Sequence, residues 1–353
     1  MIGVFLQLSY KQFASAADEK ICSVEKKTVK EILHGVSVTL KSVKKEVSKM
    51  LGVTKNESKT PNIINNLNET NRYSGTLVIV NIALNAPLII ISTTGNLLVL
   101  AAILRTPSLR SPSTVFLCSL AVSDLLVGLV VQPVYIAEQL KPSHSLLLGR
   151  RMVLFLACGV SLGTMAAISL DRFLALYYHM RYPNLMTEKS AVYASATLWV
   201  LSILLSCFGF WKGNIYFFTI AVSTTICLFI STFSYVRIYF LVRQHRLQIQ
   251  VQQQAVENLN VEHKVKMERR KKSAMNTFIY YIFMLLCYSP ALFSALNLAI
   301  FPSRWTTAWL LADTVAFTNS AINPFLYCWR TREIRAAVFK TIRNILYKRT
   351  EEN

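Results

Sequence analysis

Asp124 stands in LAVSDLL, in the middle of an otherwise apolar run. A carboxylate at that depth in a bilayer costs at least about 2.5–3.5 kcal/mol, so it is paired or used. Oxygen-bearing partners lie on other apolar runs: Asn96, Ser161, Asn319, Ser320 and Asn323. They offer what a small hard cation or a water cluster needs. A sodium-and-water site is therefore expected at Asp124, Ser161, Asn319, Ser320 and Asn323. A protonated, hydrogen-bonded Asp124 is the purely structural alternative. No other cofactor is expected. Asp171-Arg172-Phe173 closes another apolar run. An arginine there needs a partner or a watery mouth, or it snorkels to headgroups. Asn323-Pro324-x-x-Tyr327 is the third pattern. Pro324 bends a helix and frees a carbonyl, which Asn323 can satisfy.

The elements that carry these residues are long. Apolar runs lie near 77–104, 113–139, 146–177, 190–211, 215–243, 273–300 and 306–330. A span needs about 20 mostly apolar residues, and runs of this length are helices rather than barrel strands. The fold expected is all-α: seven transmembrane helices and a short amphipathic eighth. The last is read from Ile334, Val338, Phe339 and Ile342 on one face, lying on the inner leaflet. Residues 244–268 are polar and Gln-rich, and are expected to extend the fifth and sixth helices around a mobile join. The organisation is a tail over 1–75, a bundle over 76–330 and an amphipathic terminus over 331–353.

Composition agrees: of 353 residues, 53% are hydrophobic and only 16% charged, against about 25% charged in soluble domains. The net charge of +20 raises the question of nucleic acid. The basic residues sit between apolar runs, where juxtamembrane charges belong, so no nucleic-acid partner is expected. Arg105, Arg110, Arg181, Lys189 and Arg269-Arg270-Lys271-Lys272 fall in one set of loops, and only Lys141, Lys212 and Arg304 in the other. The positive-inside rule places the N-terminus outside and the C-terminus in the cytoplasm of a multi-pass plasma-membrane protein. Sequons at Asn56 and Asn68 agree with an outside tail and mark glycosylation candidates. The apolar spacing from Val29 to Met50 reads as an amphipathic stretch, and a marginal helix on a basic tail is the simpler interpretation. The seven cysteines show no metal-ligand spacing and no disulfide framework.

Several landmarks fall in order on the expected spans: Gly95-Asn96, Leu120-Ala121-x-x-Asp124, Asp171-Arg172-Phe173, Trp199, Tyr235, Cys287-Tyr288-Ser289-Pro290 and Asn323-Pro324-Phe325-Leu326-Tyr327. Over residues 77–344 the chain resembles the rhodopsin-like G-protein-coupled receptors. The resemblance implies a receptor that passes an outside ligand signal to a heterotrimeric G protein as the inner end of span six swings out. It implies activation roles for Asp171, Arg172, Tyr235, Pro290, Asn323, Pro324 and Tyr327. Tyr288 stands where the family usually has a Trp switch, and Arg270 stands where it often has an acid partner for Arg172. Leu147 replaces the usual Cys at the outer end of span three, the loop around Trp211–Asn214 is short, and Cys227 replaces the usual Pro of span five. These departures are similar to the melanocortin, lysophospholipid, cannabinoid and adenosine branch.

Two ligand classes drop out. No Lys lies between Lys272 and Lys340 to carry retinal, and span three has no acid before Asp171 to meet an amine. Arg150 and Arg151 stand at the outer end of span three. At roughly 100° per residue Arg150 falls within about 20° of the Ser161 face, so it points into the bundle. A guanidinium suits a carboxylate or phosphate; pairing with Glu138 or Asp313, or snorkelling, is the alternative. With Leu154, Phe155, Tyr288, Phe293 and Phe317 as an apolar lining, the ligand expected is amphipathic and lipid-like with an anionic or zwitterionic head, or a short peptide. Membrane lipids are the remaining partners. A seven-helix transporter or channel without G-protein coupling is the rival, but no inverted repeat is present. An embedded hydrolase would need histidine ligands in the bundle, and all five histidines lie in loops or tails, so no enzyme is expected.

Overall fold

The computed structural model describes residues 75–140, 144–178, 181–210, 213–255, 261–301 and 306–351. The tail with Asn56, Asn68 and the amphipathic stretch lies outside them, as does the join at 256–260. Seven long helices form a bundle: α1 Gly75–Leu104, α2 Pro112–Leu140, α3 His144–Tyr177, α4 Glu188–Ser206, α5 Gly213–Ala255, α6 Val261–Ile300 and α7 Thr306–Arg330. α8, Arg332–Glu351, follows after one residue. Among the described residues there is no strand.

Helix starts are where local chemistry sets them. Ser111 caps α2 by accepting from the Thr114 amide at 3.2 Å, with Pro112 at the first position. Thr187 does the same for α4 through the Ser190 amide. Such caps satisfy amides that no helix carbonyl can reach. α2 widens to a π-helical turn at Val127–Val131. Pro133 lies just beyond; it lacks an N–H and cannot close the normal ladder. The wider turn absorbs that break between Asp124 and the outer part of α2.

α1 to α6 are long and apolar enough to cross a membrane. α7 has the length, but Asp313, Asn319, Ser320 and Asn323 dilute its apolar content, and all four are buried in the bundle. α7 lies between α1 and α6, while α3 runs through the centre against α2, α4 and α5. α1 and α7 meet closely at Gly95, where an added Cβ would stand 2.8 Å from Pro324 Cγ. The Trp199 indole on α4 donates to Ser119 on α2 at 3.1 Å.

α4 ends at Ser206 and continues as a 3₁₀ turn to Phe210. On α8, Ile334, Ala337, Val338 and Thr341 are buried, while Phe339 is exposed. One expectation is corrected: Phe293 is 56% exposed and faces outward instead of lining the bundle. It follows the buried Tyr288 by five residues, which turns it by about 140°.

Candidate functional site

The mid-bundle carboxylate is held as its setting requires. Asp124 has no exposed surface; it accepts from the Asn323 amide at 2.7 Å and from the Ser161 hydroxyl at 3.3 Å. α1 adds Ser92, whose hydroxyl donates to the Asp124 carbonyl, and Asn96, whose amide donates to the carbonyls of Ser92 and Ser320. The structure thus brings Asp124, Ser161, Ser320 and Asn323 into direct contact. Asn319 is buried too, but its amide sits 3.5 Å from Met165 Sδ. The buried carbonyl oxygens of Asn96 and Asn323 have no hydrogen-bond partner among the described residues. A carboxylate, a hydroxyl and two uncommitted amide oxygens form an all-oxygen set, which fits a small hard cation.

Toward the outer end the basic residue is internally paired. Arg150 Nη1 on α3 lies 2.8 Å from Asp313 Oδ2 on α7, and its Nε lies 3.6 Å from Glu138 Oε2 on α2. The side chains of Arg150 and Asp313 are 9% and 3% exposed. Arg150 does point inward, and of the alternatives left open by sequence, pairing with both acids is the one observed. The group carries one net negative charge when all three are ionised. Its guanidinium also sits over the Tyr135 ring at 5.6 Å. Arg151 faces another way, stacked on Tyr216 and Phe217 at 5.4 and 5.9 Å. Phe217 in turn meets Trp309 edge-on at 5.1 Å, closing a ring cluster between α5 and α7. Leu154, Tyr288 and Phe317 are all buried, and Phe317 packs edge-on to Tyr135.

A polar network beside the triad went unread in the sequence. Tyr135 donates to the Leu310 carbonyl at 2.6 Å and accepts from Asn81 at 2.7 Å. Gln132 donates to Asn85, Asn85 to Asn81, and Asn81 to Gln139. Thr314 of α7 joins through Asn81 and Asn85. The signal was available: Asn81, Asn85, Ser92 and Asn96 recur at four and seven along α1, which places them on one face.

At the inner end Asp171 is buried and accepts from Ser113 at 3.0 Å and from the Tyr182 hydroxyl at 2.6 Å. Burial, and then the Asp171 carboxylate itself, push the Tyr182 phenol well above its usual range, so it remains a donor at physiological pH. Arg172 Nε stands 3.8 Å from Asp171 and finds no hydrogen-bond acceptor among the described residues. The side chains of Glu268 and Arg270 lie outside the described residues. α6 is fastened to α5 differently. The Tyr281 and Thr232 hydroxyls are 2.7 Å apart, and the Tyr281 ring lies 4.8 Å from that of Tyr235. Ser169 of α3 donates to the Tyr235 hydroxyl at 3.4 Å. Tyr327 lines a narrow cavity with Ser169, Tyr235 and Tyr281, with room for about one water. Pro290 and Pro324 lie within α6 and α7.

A bundle of seven helices with a buried mid-membrane acid, an Asp-Arg pair at one end of α3 and an Asn-Pro-x-x-Tyr segment in α7 defines a seven-transmembrane receptor. Comparison with known proteins agrees. Residues 95–215 match the family model for the 7 transmembrane receptor (rhodopsin family). The chain is 29% identical over 318 residues to the adenosine receptor A2b of Bos taurus, spanning 77% of this chain and 92% of that receptor. These matches support a rhodopsin-like G-protein-coupled receptor, a multi-pass membrane protein and not an enzyme.

Proposed function

We propose that this receptor sits in the plasma membrane with its N-terminus outside, and passes the binding of an amphipathic ligand with a zwitterionic head to a heterotrimeric G protein. The observation that carries the ligand class is the Arg150–Asp313–Glu138 group, buried between α2, α3 and α7. One cation between two acids favours a ligand that brings both charges: its anion competes for Arg150, and its cation takes the displaced carboxylates. The net negative charge argues against a plain anion. The buried Leu154, Tyr288 and Phe317 supply an apolar lining below. A short peptide is the second form of the same charge pattern. The similarity to a receptor named for adenosine adds a nucleoside to the compounds worth testing.

Binding that separates Arg150 from Asp313 uncouples α3 from α7, and α7 carries Asn323, Pro324 and Tyr327 inward to the coupling face. There Arg172 meets the G protein once Asp171, held by Ser113 and Tyr182, releases it. Sodium at Asp124, with Ser161, Asn319, Ser320 and Asn323, belongs to the resting state in this reading. The free oxygens of Asn96 and Asn323 support it.

The test is cyclic-AMP and calcium signalling in cells expressing the wild type, Arg172→Ala and Asp313→Asn. The panel holds zwitterionic lysophospholipids, fatty-acid amides, short peptides and adenosine. A response lost in Arg172→Ala and shifted in ligand concentration by Asp313→Asn is expected. A ligand response untouched by Asp313→Asn would move the site away from the triad. Silence at confirmed surface expression would count against G-protein coupling.

A further inference from the structure

A polar seam runs between α1, α2 and α7, from the outer end of the bundle down to Asp124. Its register can be followed contact by contact. Asn81 meets Tyr135 and Gln139, Asn85 meets Gln132, and Ser92 meets the Asp124 carbonyl. Between the last two, an added Cβ at Gly128 would stand 2.6 Å from Thr93 Oγ1, so α1 and α2 touch there through a hydroxyl. On α2 the residues 124, 128, 132, 135 and 139 follow at about one turn each, so the seam is continuous along one face.

Two features of this seam ask for an occupant. First, four buried side-chain oxygens along it have no hydrogen-bond partner among the described residues: Gln132 Oε1, Thr93 Oγ1, Asn96 Oδ1 and Asn323 Oδ1. Buried polar atoms are almost always satisfied, and each exception calls for water or an ion. Second, the amides form a head-to-tail chain. Gln132 donates to Asn85, Asn85 to Asn81 and Asn81 to Gln139. Every donation runs outward, so the chain's free acceptor is Gln132 Oε1 at its inner end. Hydrogen bonds in series polarise one another and sharpen the terminal acceptor. A string of uncommitted oxygens leading to a carboxylate suits a hard cation with its waters, since such ions take carbonyl, hydroxyl and carboxylate ligands.

We infer that the α1–α2–α7 seam is a hydrated path by which a small monovalent cation travels between the outer face and Asp124, stepping past Gln132 and Thr93. This rests on the reading of Asp124 as a cation site and adds the route. The route borders the Arg150 group at its outer part, where the Arg150 guanidinium sits over the Tyr135 ring at 5.6 Å.

The probe is Ag+, a monovalent cation comparable in size to sodium and potassium that binds thiols tightly. It is applied outside intact cells expressing Gln132→Cys, Thr93→Cys or, as a buried apolar control off the seam, Ala295→Cys. Protection of the introduced thiol from later alkylation is followed by peptide-resolved mass spectrometry, which separates it from the native cysteines. The seam positions are expected to react roughly a hundredfold faster than the control, the factor set by the cost of about 2.5–3.5 kcal/mol for holding a charge in an apolar section of the bilayer. Adding Gln132→Leu to Thr93→Cys is expected to slow its reaction to the control rate, and Asn85→Leu is the second plug should the first fold poorly. Seam thiols no faster than Ala295→Cys would overturn the path, and so would a Thr93→Cys rate that neither plug changes. Excess sodium over N-methylglucamine is expected to slow the Thr93→Cys reaction, and Asp124→Asn to remove that slowing. Fast, plug-sensitive labelling without any sodium effect would sink the Asp124 sodium reading and keep the path.

Discussion

The two sides of the bundle are held by different chemistry. On the α1–α2–α7 side the polar contacts are amides, hydroxyls and carboxylates: Asn81, Asn85, Gln132, Tyr135, Asp124 and Asn323. On the α3–α5–α6 side rings and aliphatic groups predominate, with Tyr281 on Tyr235 toward the inner end and Phe155 near Tyr216 toward the outer, and a few hydroxyl bonds among them. Rings tolerate lateral sliding, because dispersion is non-directional and a sideways shift exchanges one contact for another. Directional bonds to buried polar groups do not, because an unmade one is costly. The polar side is therefore the part that keeps its register, and the ring side is the part that can move. An outward swing of the inner end of α6 is a motion of the ring side. Arg150 joins the two sides: it stands on α3 and is bound to Asp313 of α7 and Glu138 of α2.

The sharpest way to break the comparison is to cut that join. Arg150→Ala leaves two buried carboxylates facing each other without a cation. Removing one partner of a buried ionic group costs about 3–5 kcal/mol. Thermal unfolding of the purified receptor should show the largest loss of any substitution considered, and adding Asp313→Leu with Glu138→Gln should recover most of it. An Arg150→Ala receptor as stable as the wild type would mean that the ion pair does not fasten the outer end.

Gly95 tests the register on the polar side. A methyl at Gly95 would press to 2.8 Å on Pro324 Cγ, against a proline ring that cannot swing away. Overpacking of that kind costs about 1–3 kcal/mol. Gly149 on α3 is the matched control, since a Cβ there meets nothing within 4 Å. Gly149→Ala should be neutral or stabilise by roughly 0.5–1 kcal/mol, the usual cost of a helical glycine. Paired melting curves check both, and equal effects would show that α1 and α7 do not meet as closely as the structure places them.

Much of this was legible in the sequence, for a physical reason. A membrane allows few spanning folds, so apolar length named the seven helices, and loop charge gave an expected orientation. α7 is instructive: its polar residues lower its apolar content below that of the other six, yet the same residues carry the landmarks that identified it. Asp124, Ser161 and Asn323 were readable as a cluster because a lone acid in lipid must find partners. Helical phase also brought Arg150 inward. For Phe293 residue type misleads and phase does not: it stands about 140° round from Tyr288 and faces outward. The amide chain stayed hidden because its members are divided between two helices and each, taken singly, is an ordinary polar residue. Whether Arg150 would meet a ligand or its own acids depended on the distance between α3 and α7, which no local pattern contains.

The smallest expected effect separates the two sides most directly. Tyr281 touches α5 in two ways, by a hydroxyl bond to Thr232 at 2.7 Å and by its ring on Tyr235 at 4.8 Å. Tyr281→Phe removes the first and keeps the second. Hydrogen bonds between membrane helices average about 0.6 kcal/mol, because the separated helices find other partners. Stability should therefore fall only slightly. The consequence for signalling is larger in kind: the Tyr281–Thr232 contact is one of the directional ties between α5 and the inner half of α6. Loosening it by about 0.6 kcal/mol shifts a two-state balance nearly threefold toward the swung-out form. Basal G-protein activation by Tyr281→Phe, and by Thr232→Val, should rise by that factor, and the double variant should rise no further, since both remove one bond. Additive increases would mean that each hydroxyl acts through a different partner, and unchanged basal activity would assign the hold on α6 to ring packing alone.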